Sequence, residues 1–307
     1  MQTYKTKQML APNGVALSWW ATGRALYTLA KPGIVNLALV SALAGFYIGS
    51  RGGSVGWDVV AWTLATLTMA TAGACMLNNV YDRDIDRLMK RTSRRPLASG
   101  EVSHRLGFAI GMILAIAPLP VMAVMVNMTA AVLTAAAVFG YVVVYTMLAK
   151  RRTPWANQLG GIAGAMPPVI GVAAATGSVT PEALYLFAIM AVWQQPHALS
   201  LALKYREDYA RAKVPVVPVA RGVEATKLRI FVYAIVLLVV SVLPYAMNMA
   251  GIVYFVAAVA LGSIFTVKAY RFMVSQRDHD MKLFLFTLVH LTAICVVLIM
   301  DLEQGLS

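Results

Sequence analysis

Cysteine is nearly missing from this chain. Its 307 residues include two, Cys75 and Cys295, both inside apolar stretches. A disulfide framework and a thiolate zinc site are thereby excluded, and the two thiols read as small buried apolar residues. Charge is also scarce, at 13% of residues against 60% hydrophobic, and the mean hydropathy is +0.70. That balance excludes an ordinary soluble domain and indicates a polytopic membrane protein. Acidic side chains are the scarcest charged type: 13 Asp and Glu face 26 Lys and Arg, for a formal charge of +13. In a hydrophilic chain such an excess would suggest nucleic acid. In one this apolar it points to loops on the cytoplasmic side and to an anionic ligand, with no nucleic-acid partner.

A helix needs about 20 apolar residues to cross a bilayer. Nine segments qualify: Ile34–Ser50, Trp57–Tyr81, Leu106–Val126, Ala130–Leu148, Gln158–Thr176, Glu182–Tyr205, Leu228–Met247, Gly251–Tyr270 and Leu283–Met300. The expected fold is therefore all-α, with nine transmembrane helices around a central cavity open towards the cytoplasmic side, in a single domain over residues 1–307. Residues 1–32 form a cytoplasmic N-terminal segment. Its apolar patch, Val15 to Ala30, is interrupted by Arg24 and carries Trp19, Trp20 and Tyr27. The patch reads as an amphipathic helix at the bilayer surface rather than a cleavable signal peptide. With the N-terminus inside, all of the 26 Lys and Arg residues but Arg51 fall on the cytoplasmic side, which places the C-terminus outside.

Given so few acids, their positions are informative. Asn78, Asp82 and Asp86 follow one another at a spacing of four where the second apolar segment ends, so on a helix they stack on one face. Carboxylates at the end of a span are costly to keep dry and commonly mark an ion or substrate site. An amide and two carboxylates are also the hard oxygen donors that Mg²⁺ takes when it holds a phosphate. The plainer alternative is a solvated helix end with alternating Asp–Arg pairs. Asp84 points away from that face and is expected to pair with a loop cation. A second acidic cluster, Glu207-Asp208, follows Lys204 at the end of the sixth span. The long charged loops after the second and sixth spans resemble each other in make-up, which suggests an internal duplication with two facing half-sites. Tyr145 leads into Lys150-Arg151-Arg152, with Asn157 beyond. Those cations obey the orientation rule, and they are also what a diphosphate requires. Inside the sixth span, Trp193-Gln194-Gln195-Pro196-His197 places a proline where backbone lines a cavity and a histidine suited to proton transfer or to a bond with a neighbouring helix. Gly160 to Pro168 reads as a broken, closely packed helix. His290 carries the same two readings as His197, whereas His104 and His279 are expected in solvent.

These residues give the chain a resemblance. Asn-x-x-x-Asp-x-x-x-Asp looks like the first aspartate motif of the intramembrane aromatic prenyltransferase superfamily. Arg91-Thr92, Arg95-Pro96-Leu97, Lys150-Arg151-Arg152-Thr153-Pro154, Gly164-Ala165-Met166-Pro167-Pro168, Trp193-Gln194-Gln195-Pro196-His197 and Pro215-Val216-Val217-Pro218 are similar to the protoheme IX farnesyltransferase (haem O synthase) family within it. The resemblance implies transfer of a farnesyl group from farnesyl diphosphate to a vinyl group of haem B, with addition of water, giving haem O. It implies Mg²⁺ on Asn78, Asp82, Asp86 and Asp208, and diphosphate on Arg83, Arg94, Arg95, Lys150, Arg151 and Lys204. Trp193, Gln194, His197, Tyr145 and Asn157 would line the haem cavity. Asp82, Asp86, Asp208 and His197 would carry the catalysis, and His197 would meet haem either as ligand or as proton acceptor. Haem B is a substrate here, and Mg²⁺ is the cofactor. The partners that the resemblance implies are the lipid bilayer of a bacterial plasma (inner) membrane and the next enzyme of haem A synthesis, though no motif in the chain marks that contact. There are two departures from the family pattern: Lys204 stands where the wider superfamily has an aspartate, and Gly33 follows Lys31-Pro32 where arginine is common.

Two other readings compete. A related prenyltransferase acting on a hydroxybenzoate or quinone precursor shares the aspartates and is set apart by the Trp193–His197 segment. An ion-coupled transporter would place its acids at mid-bilayer depth, whereas here they lie at a span end.

Overall fold

The computed structural model describes residues 19–50, 53 and 55–304. Among them nine helices are long and apolar enough to cross a membrane: Pro32–Ser50, Trp57–Leu88, His104–Met125, Met128–Ala149, Ala156–Thr176, Pro181–Lys204, Gly222–Ala246, Ile252–Met273 and Met281–Asp301. Each agrees with an expected segment to within a few residues, with two exceptions: the seventh span begins at Gly222, six residues before the expected Leu228, and the second runs on past its expected end. The second span does not stop at Tyr81 but stays helical to Leu88. At 32 residues it is about 48 Å long, well beyond a hydrocarbon core of about 30 Å. Asp82, Ile85 and Asp86 on its last two turns are nonetheless buried, and the aspartate motif lies on rigid helix rather than in a loop.

Local chemistry sets the ends. Ser103, Asn127 and Thr180 each accept an amide bond from the third residue beyond and so cap the third, fourth and sixth spans. Asn127 also donates to the Ala173 carbonyl at 2.9 Å, tying this short connection to the fifth span. The fifth span breaks at Ala165, directly ahead of Met166-Pro167-Pro168, because the prolines cannot continue the ladder of the preceding turn. Its second half packs tightly on the first span. A Cβ on Gly45 would run into the Pro168 carbonyl, and one on Gly171 into the Ala42 carbonyl, so only glycine allows the two backbones this close.

The main core joins the fifth, sixth and last three spans around Trp193, Leu237, Tyr254, Phe265 and Ile294. The N-terminal helix is seen over Trp19–Leu29, while Val15 to Ser18 of the expected amphipathic stretch lie outside the described residues. Trp20 and Tyr27 are exposed, but Ala25 and Leu29 pack against Met76, Val80, Leu97 and Val102. This helix is thus docked on the second span as well as amphipathic. Asn79 fixes the junction by donating to the Leu29 carbonyl at 2.9 Å.

Candidate active site

The C-terminal end of the second span carries the aspartate face. Asn78, Asp82 and Asp86 are 2%, 0% and 2% exposed, so the solvated-helix-end reading does not hold for them. It holds for Asp84, which is 60% exposed and takes a two-pronged bond from Arg151 at 2.6 and 2.7 Å. Buried carboxylates need partners, and each has one. Lys150 pairs with Asp82. Arg95 grips both oxygens of Asp86 at 3.0 and 2.8 Å. Lys31 donates to the Asn78 side-chain oxygen at 2.5 Å, and the Asn78 amide donates to Thr146 at 3.0 Å.

Two backbone devices deliver these partners. The fourth span widens into a π-helix over Gly140–Ala149. The Lys150 amide bonds back to Tyr145, and the Thr146 hydroxyl bonds back to Tyr141, each five residues earlier. This rare coil re-phases Thr146 and Lys150 towards the second span and recurs at functional sites. Lys31 takes a left-handed conformation, φ 54°, at the turn into the first span. For a non-glycine residue such a turn costs on the order of 1–3 kcal/mol and tends to persist where a site needs it. Lys31 is the residue at the aspartate face that the sequence reading left out of the site. Its Lys-Pro text was the available signal, but nothing local shows that a strained turn aims it at Asn78.

Electrostatics follow from this crowding. Burial, then repulsion by Arg95 and Lys150, pull the Lys31 ammonium down to about 8 against the pull of Cys75 and Asp82. Burial also acts to lower Lys150, but Tyr145 and Asp82 outweigh it, and the ammonium stands above its usual range.

Asp208 behaves differently. Its carboxylate accepts the backbone amides of Lys90 and Arg91 at 3.2 and 3.1 Å and pairs with Arg211. Burial alone would raise its pKa; the two amides and Arg211 overcome that and hold it below the usual carboxylate range. The two charged loops therefore do meet, through Asp208 and through apolar packing of Ile85 and Met89 on Ala212, Val214 and Val216. However, among the described residues no group of three His, Cys, Asp or Glu side chains comes together as a metal cluster. The expected gathering of Asp208 with Asp82 and Asp86 around one ion is not what these side chains form. Asp208 is already saturated by three donors and faces a separate polar pocket of about 710 Å³ with Lys90, Arg91, Lys204 and Arg206. Lys204 is exposed there, its ammonium 5.4 Å from the Tyr205 ring. Arg83 and Arg94 are exposed as well, with no acidic partner among the described residues.

An apolar cavity of about 300 Å³ reaches Cys75, one turn before Asn78 and Asn79. Its wall includes Ala38, Tyr141, Gly164, Trp193, Gln194 and His197. Three of the expected cavity residues thus line it. Gln194 also ties the broken fifth span to the sixth by donating to the Gly161 carbonyl at 2.7 Å. Tyr145 and Asn157 do not line it. Tyr145 stacks on Tyr141 at 5.5 Å and lies against Gly160, with Lys150 5.7 Å from its ring. Asn157 is half-buried in the first turn of the fifth span. His290 is fully buried beside Phe265, and neither ring nitrogen has a partner. His104 and His279 are exposed, as expected.

The donor set suits a hard divalent cation held together with a diphosphate. All three face residues offer oxygen, one oxygen of Asp82 is buried without a partner, and Lys31, Arg95 and Lys150 stand close enough to turn to phosphate.

Comparison with known proteins agrees with this geometry. Residues 38–291 match the model of the UbiA prenyltransferase family. A protoheme IX farnesyltransferase from Aquifex aeolicus (strain VF5) is 44% identical over 276 residues, covering 90% of this chain and 94% of the relative. One from Stutzerimonas stutzeri (strain A1501) is 38% identical over 297 residues, covering 95% and 97%. Among solved structures, a digeranylgeranylglyceryl phosphate synthase superposes with a TM-score of 0.77 at 17% identity, over 92% of this chain and 98% of that one. A UbiA homologue from Archaeoglobus fulgidus bound to GPP and Mg²⁺ gives 0.64 at 18% identity, over 89% and 99%. With the fold, the nine apolar helices and the sequence all in agreement, this chain is an integral membrane protein that belongs to the UbiA prenyltransferase family.

Proposed function

We propose that this chain transfers the farnesyl group of farnesyl diphosphate to a vinyl group of haem B, with addition of water, to give haem O and diphosphate. The observation that carries the reading is the stacking of two layers: buried acid–cation pairs at the end of the second span, and beneath them an apolar cavity that presents Trp193 and His197. A diphosphate headgroup fits the first layer and a hydrocarbon tail the second. Protoheme IX farnesyltransferases at 44% and 38% identity over nearly the whole chain support haem as the acceptor, as does the Trp193–His197 segment over the hydroxybenzoate or quinone alternative.

Asn78, Asp82 and Asp86 are the donors that would hold Mg²⁺, which when bound draws charge off the leaving diphosphate. Lys150 and Arg95 leave their carboxylates for phosphate oxygens, and Lys31 adds a third cation. Arg151 and Lys204 extend this field, and Arg83 and Arg94 supply exposed cations on the approach. Asp208 holds the Lys90–Arg91 turn beside the phosphates. Farnesyl–oxygen cleavage then leaves an allylic cation in an apolar cavity whose wall includes Tyr141 and Trp193, a setting that limits premature capture by water. The vinyl group of haem attacks that cation, and water adds to the new one with loss of a proton, which the released diphosphate or His197 takes up. His197 is the imidazole on the cavity wall and presents a ring nitrogen to the haem substrate.

The distribution of Lys and Arg supports an N-terminus in the cytoplasm and a C-terminus outside, and the bacterial relatives support a plasma membrane as the site. There haem O would pass to the next enzyme of haem A synthesis. The test is direct. Membranes containing the chain, supplied with haem B, farnesyl diphosphate and Mg²⁺, should accumulate haem O by mass. Asp82→Ala and Asp86→Ala should abolish this while the protein stays folded. His197→Ala should impair haem use more than farnesyl diphosphate binding. Wild-type turnover in the aspartate variants would sink the proposed metal site.

A further inference from the structure

His197 does not stand alone on the cavity wall. Its imidazole lies between two rings, Trp193 at 5.0 Å and Phe284 at 4.5 Å between centroids, both within 29° of parallel. One residue of the ninth span fastens this stack. Thr287 is fully buried, its carbonyl accepts the Trp193 indole N–H at 2.6 Å, and its hydroxyl meets His197 Nδ1 at 2.8 Å.

The hydroxyl has a single proton to give. Its oxygen is 2.6 Å from the Phe284 carbonyl oxygen, a separation suited to an O–H···O bond. If the proton pointed at His197 instead, two oxygens would confront each other at that distance with only lone pairs between them. The proton therefore belongs to the Phe284 bond, and towards His197 the hydroxyl oxygen accepts. Nδ1 must then carry the imidazole hydrogen. Nε2 is left as a bare lone pair, with no hydrogen-bond partner among the described residues, on a residue that lines the cavity. Which nitrogen of a histidine is free is commonly fixed in this way by the bond the other one makes.

We infer that Thr287 is a positioning residue: it locks His197 in the Nδ1–H form, clamped flat between Trp193 and Phe284, so that Nε2 faces the bound haem. This rests on the proposed role of His197 and deepens it. Either use of the imidazole, as iron ligand or as proton acceptor, needs a bare Nε2, and a ring free to flip would offer it only part of the time.

The test uses the full chain in lipid nanodiscs. Thr287→Val keeps the branched shape and removes the hydroxyl, and Thr287→Ser keeps the hydroxyl. Loss of an orienting bond of this kind typically costs about 10–100-fold in activity. Thr287→Val is therefore expected to lower kcat/KM for haem B by about that factor, with KM for farnesyl diphosphate changed by less than about twofold. Thr287→Ser is expected to restore most of the loss. Wild-type turnover in Thr287→Val, or a Ser variant as poor as the Val variant, overturns the inference while leaving an impaired His197→Ala to support the haem role. Wild-type turnover in His197→Ala overturns both. If Thr287→Val does not fold, ¹⁵N imidazole shifts of the unmodified protein decide, with the His197 signal assigned by its loss in His197→Ala: an Nδ1–H tautomer is expected, and an Nε2–H tautomer overturns it.

Discussion

Asp82 and Lys150 allow the sharpest test of the site, because the structure makes their stabilities interdependent. Asp82 is fully buried, Lys150 is 14% exposed, and the two pair directly. Removing one partner of a buried pair strands the other charge, at a cost of about 3–5 kcal/mol. Lys150→Met strands a carboxylate that already has one oxygen without a partner, so it belongs near the top of that range, about 5 kcal/mol. Asp82→Asn strands an ammonium with some access to solvent and belongs near the bottom, about 3 kcal/mol. If the effects were independent the double variant would lose about 8 kcal/mol, the sum of the two. Because it removes both charges together, it should instead lose less than that by about 2–3 kcal/mol, the upper end of measured couplings between touching residues. The assay is reversible unfolding of the four proteins in mixed micelles, followed by circular dichroism. Strict additivity would mean that the two groups do not pair in the folded protein, and the account of a charge-paired aspartate face would fail. Turnover should be lost in all three variants regardless, since both residues belong to the proposed metal and diphosphate site.

Three further outcomes follow from geometry. Gly45→Ala and Gly171→Ala force a methyl into the facing backbone and should each cost about 1–3 kcal/mol of stability, whereas Gly33→Ala, with nothing within 4 Å, should melt like the parent. Equal melting of all three would deny the close approach of the first and fifth spans. Ala38→Trp fills the cavity from its wall and should lower farnesyl transfer about tenfold or more while sparing stability, read by haem O formation beside a thermal melt. Asp208→Ala removes the acceptor of the Lys90 and Arg91 amides, worth about 1–3 kcal/mol, and hydrogen exchange at those two amides should accelerate. Unchanged exchange there would show that the turn is held by something else.

Most of the fold could be read from hydropathy because a bilayer demands runs of apolar helix, and the nine runs are plain in the chain. The stacking of Asn78, Asp82 and Asp86 was equally legible, since it is a property of one helix. What lay beyond reach were facts of the third dimension. Nothing around Gly140 announces a π-helix, yet that coil decides that Lys150 meets Asp82. Lys31 is separated from Asn78 by 47 positions and reaches it through a left-handed turn with no local signature. Asp208 looked like a third metal ligand because its type and its span-end position fit; only the fold shows its oxygens taken by the turn after Asp86. Tyr145 and Asn157 were placed in the cavity by resemblance, but the break at Ala165 and the packing of Tyr145 on Gly160 put other groups on that wall.

The bond between Thr287 and His197 spans 90 positions of sequence. The ninth span has no charged motif and could pass for simple membrane filler, yet it holds the imidazole from behind. A nascent chain emerging from the ribosome would have its aspartates and its tryptophan–histidine segment in place long before that clamp existed. The clamp on His197 therefore arrives only with the final helix, which in the same step completes the main core through Leu283, Leu291, Ile294 and Leu298.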